Sequence, residues 1–391
     1  MLDTATREFI VQHRDDDVRM LALQARRYPA VSMHDAVVQI EGWQAARTKL
    51  PAWAATEGII YPPKISMEQC SSEQTAMFKA SLVDGKRFAD LTGGFGIDFS
   101  YISRGFDEAV YIERNELLCS IARENFALLE LDHAKVVNGN SEQVLDTLEA
   151  MDWIFIDPAR RDGDGRKVVA LSDCEPNVVA LEEQLLQKSN KVMIKCSPML
   201  DITEACRQLK HVEKVYIVAV NNECKELLFI LGNDIVESYP VHCVNLLKDG
   251  CQDFSFTAAD EAASVASYCT AVGKYLYEPN VAVQKSGCSG VLSCRYEMKK
   301  LHPNSQLYTC DDYVTSFPGR IFEVVDVLGF SKSDVKKVQA LQKTNITVRN
   351  FPESVQMLRK RLKLSDGGDN YIFATTLAGG EKVLVLCKKA G

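Results

Sequence analysis

At Arg87 the chain enters a short apolar run that passes directly into a turn with three glycines in four positions. The segment reads Arg87-Phe-Ala-Asp90-Leu-Thr92-Gly93-Gly94-Phe-Gly96. Glycines let a backbone reverse tightly and approach a ligand closely. A buried strand, a glycine turn and a helix in that order restrict the surrounding topology. The sequence after it complies, with strand-length apolar runs at Phe88–Leu91, Ala109–Ile112, Lys135–Asn138, Trp153–Ile156 and Lys191–Ile194. Helical stretches at about 97–104, 115–130, 141–149, 174–188 and 201–209 separate or follow them. This alternation predicts a parallel sheet with helices on both faces. Val215–Val220 and Leu227–Leu231 follow with no helix between them and are expected to close the sheet as an antiparallel pair.

The remainder is organised differently. Asp15–Arg27 and a stretch opening at Ser32 and running to about Lys49 read as helices, broken by Pro51 and Pro62-Pro63. Residues 236–318 hold short β-like pieces and read as a small α+β domain. Ser331–Lys343 and Ser354–Leu362 read as helices, and Tyr371–Thr376 with Lys382–Cys387 as a hairpin around Ala378-Gly-Gly. With 391 residues, two or three domains are expected. No apolar run reaches the roughly 20 residues of a membrane-spanning helix, and no signal-peptide pattern opens the chain, so a cytoplasmic location is expected. The 13 cysteines are scattered without a C-x-x-C pair. They read as small buried hydrophobes, and no metal is expected. Net charge is −8, but residues 332–391 carry 12 Lys/Arg against 5 Asp/Glu. That makes the tail +7 and the rest of the chain −15, the pattern of a basic module on an acidic body.

The second strand ends at Glu113, where an acid can accept hydrogen bonds from both ribose hydroxyls of a nucleoside cofactor. Dinucleotide enzymes share that acid, so it does not choose the cofactor. The loop does, because Asp90 lies inside the glycine motif, where a pyrophosphate would be repelled. Asp-x-x-Gly-Gly-x-Gly resembles the first motif of class I methyltransferases. The resemblance implies S-adenosyl-L-methionine as cofactor, held by Asp90, Thr92, Gly93, Gly94, Gly96 and Glu113. Asn140 and Ser141, after the third strand, stand where the family contacts adenine. Asp157-Pro158-Ala159-Arg160 ends the fourth strand, where the family places its substrate-side acid, and Asp157 is expected to bind the cofactor as well. The implied fold is α/β, a Rossmann-like seven-stranded class I methyltransferase domain. Further out, Glu68–Ala76, Tyr277-Glu-Pro-Asn and Asn345-Ile-Thr-Val-Arg-Asn-Phe-Pro resemble a bacterial methyltransferase group with a ferredoxin-like and a C-terminal THUMP-like domain. The expected divisions are an N-terminal helical region 1–64, a methyltransferase domain 65–235, a ferredoxin-like domain 236–318 and a THUMP-like basic domain 319–391. THUMP domains bind RNA, so ribosomal or transfer RNA is the implied partner. Arg349, Arg359, Lys360 and Arg361 in the tail, with Arg160 and Arg161 beside the site, are the candidate RNA contacts.

The acceptor atom stays open at this level. Asp157-Pro-Ala-Arg places Arg160 where amine methyltransferases carry an aromatic that stacks on a flipped base. The string instead resembles RNA uracil-5-methyltransferases, which add a cysteine nucleophile and a glutamate base. Cys196, in Lys195-Cys196-Ser197-Pro198, and Glu226 match those places, with Asp157 as the third catalytic candidate. A structural Cys196 is the alternative. At the level of function, two other readings stand beside an RNA methyltransferase. One is a non-catalytic RNA-binding protein on a vestigial cofactor fold; the other is a methyltransferase for a protein or small molecule.

Overall fold

The apolar runs form strands because each alternates or saturates with residues that must leave water, and parallel pairing places them side by side. The computed structural model describes residues 2–160, 170–234 and 236–390. Its strands are β1 (Arg87–Asp90), β2 (Glu108–Glu113), β3 (Ala134–Asn138), β4 (Met151–Ile156), β5 (Ser189–Cys196), β6 (Val212–Val220) and β7 (Glu223–Gly232). The chain divides into two compact units, one of Met1–Glu213 with Leu227–Ile235, the other of Lys214–Glu226 with Val236–Gly391.

In the first unit the strand order is β3-β2-β1-β4-β5-β7. β1 pairs in parallel with β2 and β4, with Phe88 opposite Ala109 and Trp153. β4 pairs in parallel with β5, and β7 runs antiparallel to β5, with Met193 opposite Ile230. The reversal comes from a two-residue turn, Asn221-Asn222, with φ of 49° and 63°. Positive φ at both positions is what a tight hairpin needs, and asparagine tolerates it better than other side chains. The parallel sheet and closing antiparallel strand are those of a class I methyltransferase domain.

The helices between the strands start at polar caps. Asn115, Asn140, Asn177 and Asp201 each accept a backbone N–H from the first turn that follows. The helix expected from residue 174 begins at Val178 instead. Cys174–Glu175 pairs with Ala159–Arg160, Pro176 has no N–H to donate, and Asn177 supplies the cap.

The N-terminal helices Thr4–His13, Val18–Leu23 and Met33–Lys49 enclose Phe9, Leu21, Met33, Ala36 and Ile40. A second cluster joins Ala46, Leu50, Trp53 and Tyr61 to Phe95 of the glycine turn and to Ile97 and Ile121 of the helices that follow β1 and β2. Two buried amides hold the connecting extended segment. Gln39 pairs with both the N–H and the carbonyl of Tyr61 at 2.8 Å. Asn125 does the same for Ile60, also at 2.8 Å.

In the second unit, β6 pairs in parallel with β8 (Pro240–Leu247), which forms a hairpin with β9 (Gly250–Thr257). These two strands lie in the stretch where the sequence showed only short β-like pieces. A separate eight-stranded sheet follows. Its strand Gly319–Leu328 pairs on one side with Tyr275–Pro279 and on the other with Lys382–Lys389. Residue 319 therefore opens a strand shared by both halves of one sheet. Alternation divides the side chains: Phe373, Val383 and Val385 face one core, Ile372, Ala374 and Leu384 the other. Among the described residues no helix is long and apolar enough to cross a membrane.

Asn125→Ala removes both partners of the Ile60 peptide groups from a fully buried site. Urea unfolding is expected to show a loss of about 1–3 kcal/mol.

Candidate active site

The glycine turn has its shape because side chains from the next strand and the next helix crowd it. A Cβ on Gly93 would lie 2.1 Å from the Tyr111 ring, and one on Gly96 2.9 Å from Phe126. Gly94 and Gly96 have φ of 55° and 85°. The Tyr111 hydroxyl donates to the Gly94 carbonyl. Gly96 caps the helix Ile97–Ile102. At the end of β1, Asp90 accepts from the Thr92 N–H at 2.9 Å. The Thr92 hydroxyl accepts from the Asp157 N–H at 2.7 Å, fastening the end of β4 to the turn. Burial pushes the Asp90 carboxyl well above the usual carboxylate range.

Above these strand ends lies a cleft of about 560 Å³, within the usual size of a small-molecule site. Asp90, Thr92, Gly93, Gly94, Gly96, Glu113, Asn140, Ser141 and Asp157 all line it. Glu113 accepts from the Gly94 N–H at 2.9 Å and from the Asn115 N–H at 2.8 Å, one bond per oxygen. Each oxygen keeps a further lone pair for a ligand donor. Asn140 spends its side-chain oxygen capping the helix Ser141–Thr147. The Ser141 hydroxyl donates to the Leu91 carbonyl at 2.6 Å. Arg114 and Glu175, both at the cleft, pair at 2.9 Å.

A buried charge cluster adjoins the cleft and was not anticipated from the sequence. Asp98, in the first turn of helix Ile97–Ile102, sits 3.1 Å from the Lys79 ammonium and 3.2 Å from that of Lys195. The Ser71 hydroxyl donates to Asp98 at 2.7 Å. Lys195 also reaches Asp157, at 2.5 Å. Lys79 is fully buried, and Lys195 is 11% exposed. Burial alone would raise the Asp98 pKa, but the two ammonium groups outweigh it and hold the carboxyl at about 2. The available sequence signal was charge inside apolar helical stretches: Lys79 between Phe78 and Ala80, Asp98 between Ile97 and Phe99.

The other candidates lie elsewhere. Cys196 is 6% exposed and lines a separate recess of about 40 Å³ with Pro158, Leu171 and Met199. Burial and then Asp157 push its thiol well above the ordinary range, so it is protonated at neutral pH. Glu226 is buried in the second unit and is not among the cleft-lining residues. Arg161 lies outside the described residues, and of Arg160 the backbone alone is described. In the tail, Arg349 lies 2.8 Å from the buried Glu278, which Arg320 also contacts. Arg359 pairs with Asp366 and Arg361 with Glu353, and Lys360 is exposed. Among the described residues no group of three or more His, Cys, Asp or Glu could hold a metal ion.

Asp98→Asn leaves two buried ammonium groups without their shared anion and is expected to cost about 3–5 kcal/mol. Because the folded-state pKa is depressed, this stability is complete above about pH 4. It is lost as pH falls toward 2. Urea unfolding of both proteins is therefore expected to differ strongly at pH 7 and progressively less below pH 4.

Three family descriptions match the chain: a conserved hypothetical protein family (number 95) over residues 71–219, a ferredoxin-like domain over 275–318 and a THUMP-like domain over 319–389. No curated protein matches. Among solved structures, a protein from Porphyromonas gingivalis W83 designated a methyltransferase is 34% identical. The match covers 100% of both chains, with a TM-score of 0.91. A Streptococcus thermophilus rRNA methylase is 13% identical over 41% of this chain and 94% of its own, with a TM-score of 0.31. A Pyrococcus abyssi tRNA (uracil-54, C5)-methyltransferase is 19% identical over 40% of this chain and 37% of its own, with a TM-score of 0.30. These two likenesses are too low to carry an argument. The full-length match does carry one, and the chain belongs to the bacterial class I methyltransferase family that combines a Rossmann-like domain with ferredoxin-like and THUMP-like domains.

Proposed function

We propose that the protein transfers a methyl group from S-adenosyl-L-methionine to a nucleotide of ribosomal or transfer RNA. The observation that carries the cofactor reading is Glu113, a carboxylate fixed by two backbone N–H groups at the rim of a cleft floored by glycines. Its spare lone pairs suit the two ribose hydroxyls of a nucleoside. Gly93 and Gly94 leave the floor bare of side chains, and no phosphate-cradling cation is needed there. Asp90 suits the ammonium of the cofactor's amino-acid end, and such a cation would draw its raised pKa back down. Asn140 and Ser141 stand on the adenine side by the family pattern. When bound, the cofactor supplies an electrophilic methyl group on a sulfonium.

The RNA reading rests on the THUMP-like match and the basic tail. The tail's cations divide by what they would leave behind. Arg359 and Arg361 pair with side chains of the same local surface, where an ion pair is worth about 0–1 kcal/mol and exchanges readily for phosphate. Lys360 joins them. Arg349 is different, because leaving Glu278 would strip the partner from one oxygen of a carboxylate that is 2% exposed, with Arg320 engaged on the other oxygen. We assign Arg349 to the fold of the second unit and the other three to RNA.

Purified protein, radiolabelled cofactor and total RNA from cells lacking the gene are expected to give labelled RNA. No label in RNA, with S-adenosylhomocysteine binding shown by calorimetry, turns the reading to a protein or small-molecule substrate. No binding turns it to a non-catalytic RNA-binding protein. Glu113→Ala is expected to weaken S-adenosylhomocysteine binding by about 10- to 100-fold, the equivalent of one charged hydrogen-bonding group.

A further inference from the structure

We infer that the acceptor is a hydroxyl oxygen, the ribose 2′-OH of the RNA, and that Lys195 and Asp157 are the residues that act on it. The inference rests on the RNA reading above and concerns the atom within it. Three acceptor chemistries are available in a nucleotide, and the cleft treats them unequally.

A pyrimidine carbon needs a thiolate to add to the ring first. The thiol lining the cleft, Cys70, donates to the Met67 carbonyl at 3.3 Å, and burial raises its pKa. Cys196 lines the separate recess and is likewise protonated. A ring or exocyclic nitrogen develops positive charge as it attacks a sulfonium. Nitrogen acceptors need an aromatic face to hold the base. Among the described residues lining the cleft, the aromatics are Phe95 and Phe155, 4% and 2% exposed and packed in the core.

A hydroxyl fits the same groups. Asp157 gives one oxygen to Lys195, and among the described residues the other, Oδ1, has no partner, on a side chain that is 37% exposed. Its backbone is fixed through the Thr92 hydroxyl at 2.7 Å, so the carboxylate has a defined place. Asp98 and Ser71 hold the Lys195 ammonium from behind, at 3.2 and 3.3 Å. The hydroxyl donates to Asp157 Oδ1, and Lys195 stabilises the negative charge that grows on oxygen as the proton leaves. The oxygen forms the new bond to the methyl carbon with one of its lone pairs. The donor's carbon–sulfur bond breaks with its electron pair staying on sulfur, and the proton passes to Asp157. The sulfonium charge and the carboxylate charge disappear together, so the step is balanced without a further reactant.

The test digests RNA labelled by the full-length protein in two ways. Alkali cleaves next to a free 2′-OH and spares a 2′-O-methylated position, so label in alkali-stable dinucleotides is expected. Label in base-methylated nucleosides overturns the inference and leaves the RNA reading standing. No label in any RNA, with S-adenosylhomocysteine bound, overturns the RNA reading itself and the assignment with it. Two variants then address the residues. Lys195→Arg keeps the charge beside Asp98 but replaces the compact ammonium with a planar guanidinium, and Asp157→Asn keeps the shape but not the base. Each is expected to lower kcat by about 100-fold or more, with S-adenosylhomocysteine affinity and melting temperature close to those of the parent. Unchanged kcat, or a loss of kcat matched by loss of affinity or stability, assigns both residues a structural role and overturns the proposal.

Discussion

The carboxylate of Asp98 is enclosed between two lysine ammonium groups, and the arrangement of the cleft depends on that contact. Lys79 comes from the helix before β1, Lys195 from the end of β5, Ser71 from the segment leading in, and Asp98 from the helix after the glycine turn. None of these charges is tolerable alone away from water, since each would leave several kcal/mol of desolvation uncompensated. Together they permit one relative placement of four chain segments. Such clusters add little net stability over an apolar replacement of equal volume. Their use here is positional: Asp98 and Ser71 hold Lys195 beside Asp157 at the cleft.

The glycine turn works by a complementary constraint. The Asp98 cluster holds charged groups in place, whereas Gly93 and Gly96 keep atoms out, because Tyr111 and Phe126 occupy the space a Cβ would need. The bare backbone N–H of Gly94 then orients Glu113, and the Thr92 hydroxyl joins β1 to β4. Glu113 and the end of β4 at Asp157 are in this way set by the same ten-residue segment. The second unit follows a different rule. Its sheet has a core on either side, and a buried Glu278 draws in Arg320 and Arg349 from two further strands.

Much of the site was readable before any coordinates. Every cofactor-side residue named from the sequence lines one cleft, because the family pattern places them at consecutive strand ends and a parallel sheet gathers those ends on one edge. The helix expected from residue 174 started four residues later, where Pro176 and the Asn177 cap outweighed propensity. Strands β8 and β9 were not resolved from the sequence as a pair. What makes them strands is the pairing of β8 with β6, Val241 lying opposite Val215, and of β9 with β8, and local propensity carries no record of the first.

The sequence by itself determined the parallel sheet, the glycine turn with its flanking acids, and the basic tail, because each is a local pattern of spacing, turn chemistry or charge. Tertiary structure alone decided which neighbour on β5 reaches the cleft. Cys196 drew attention as the nucleophile type, and Lys195 beside it did not. Successive residues of a strand point to opposite faces, so Lys195 meets Asp98 and Asp157 at the cleft while Cys196 enters the separate recess. Which face becomes the cleft depends on charges brought from residues 79 and 98, distant in the chain, and burial makes their pairing obligatory.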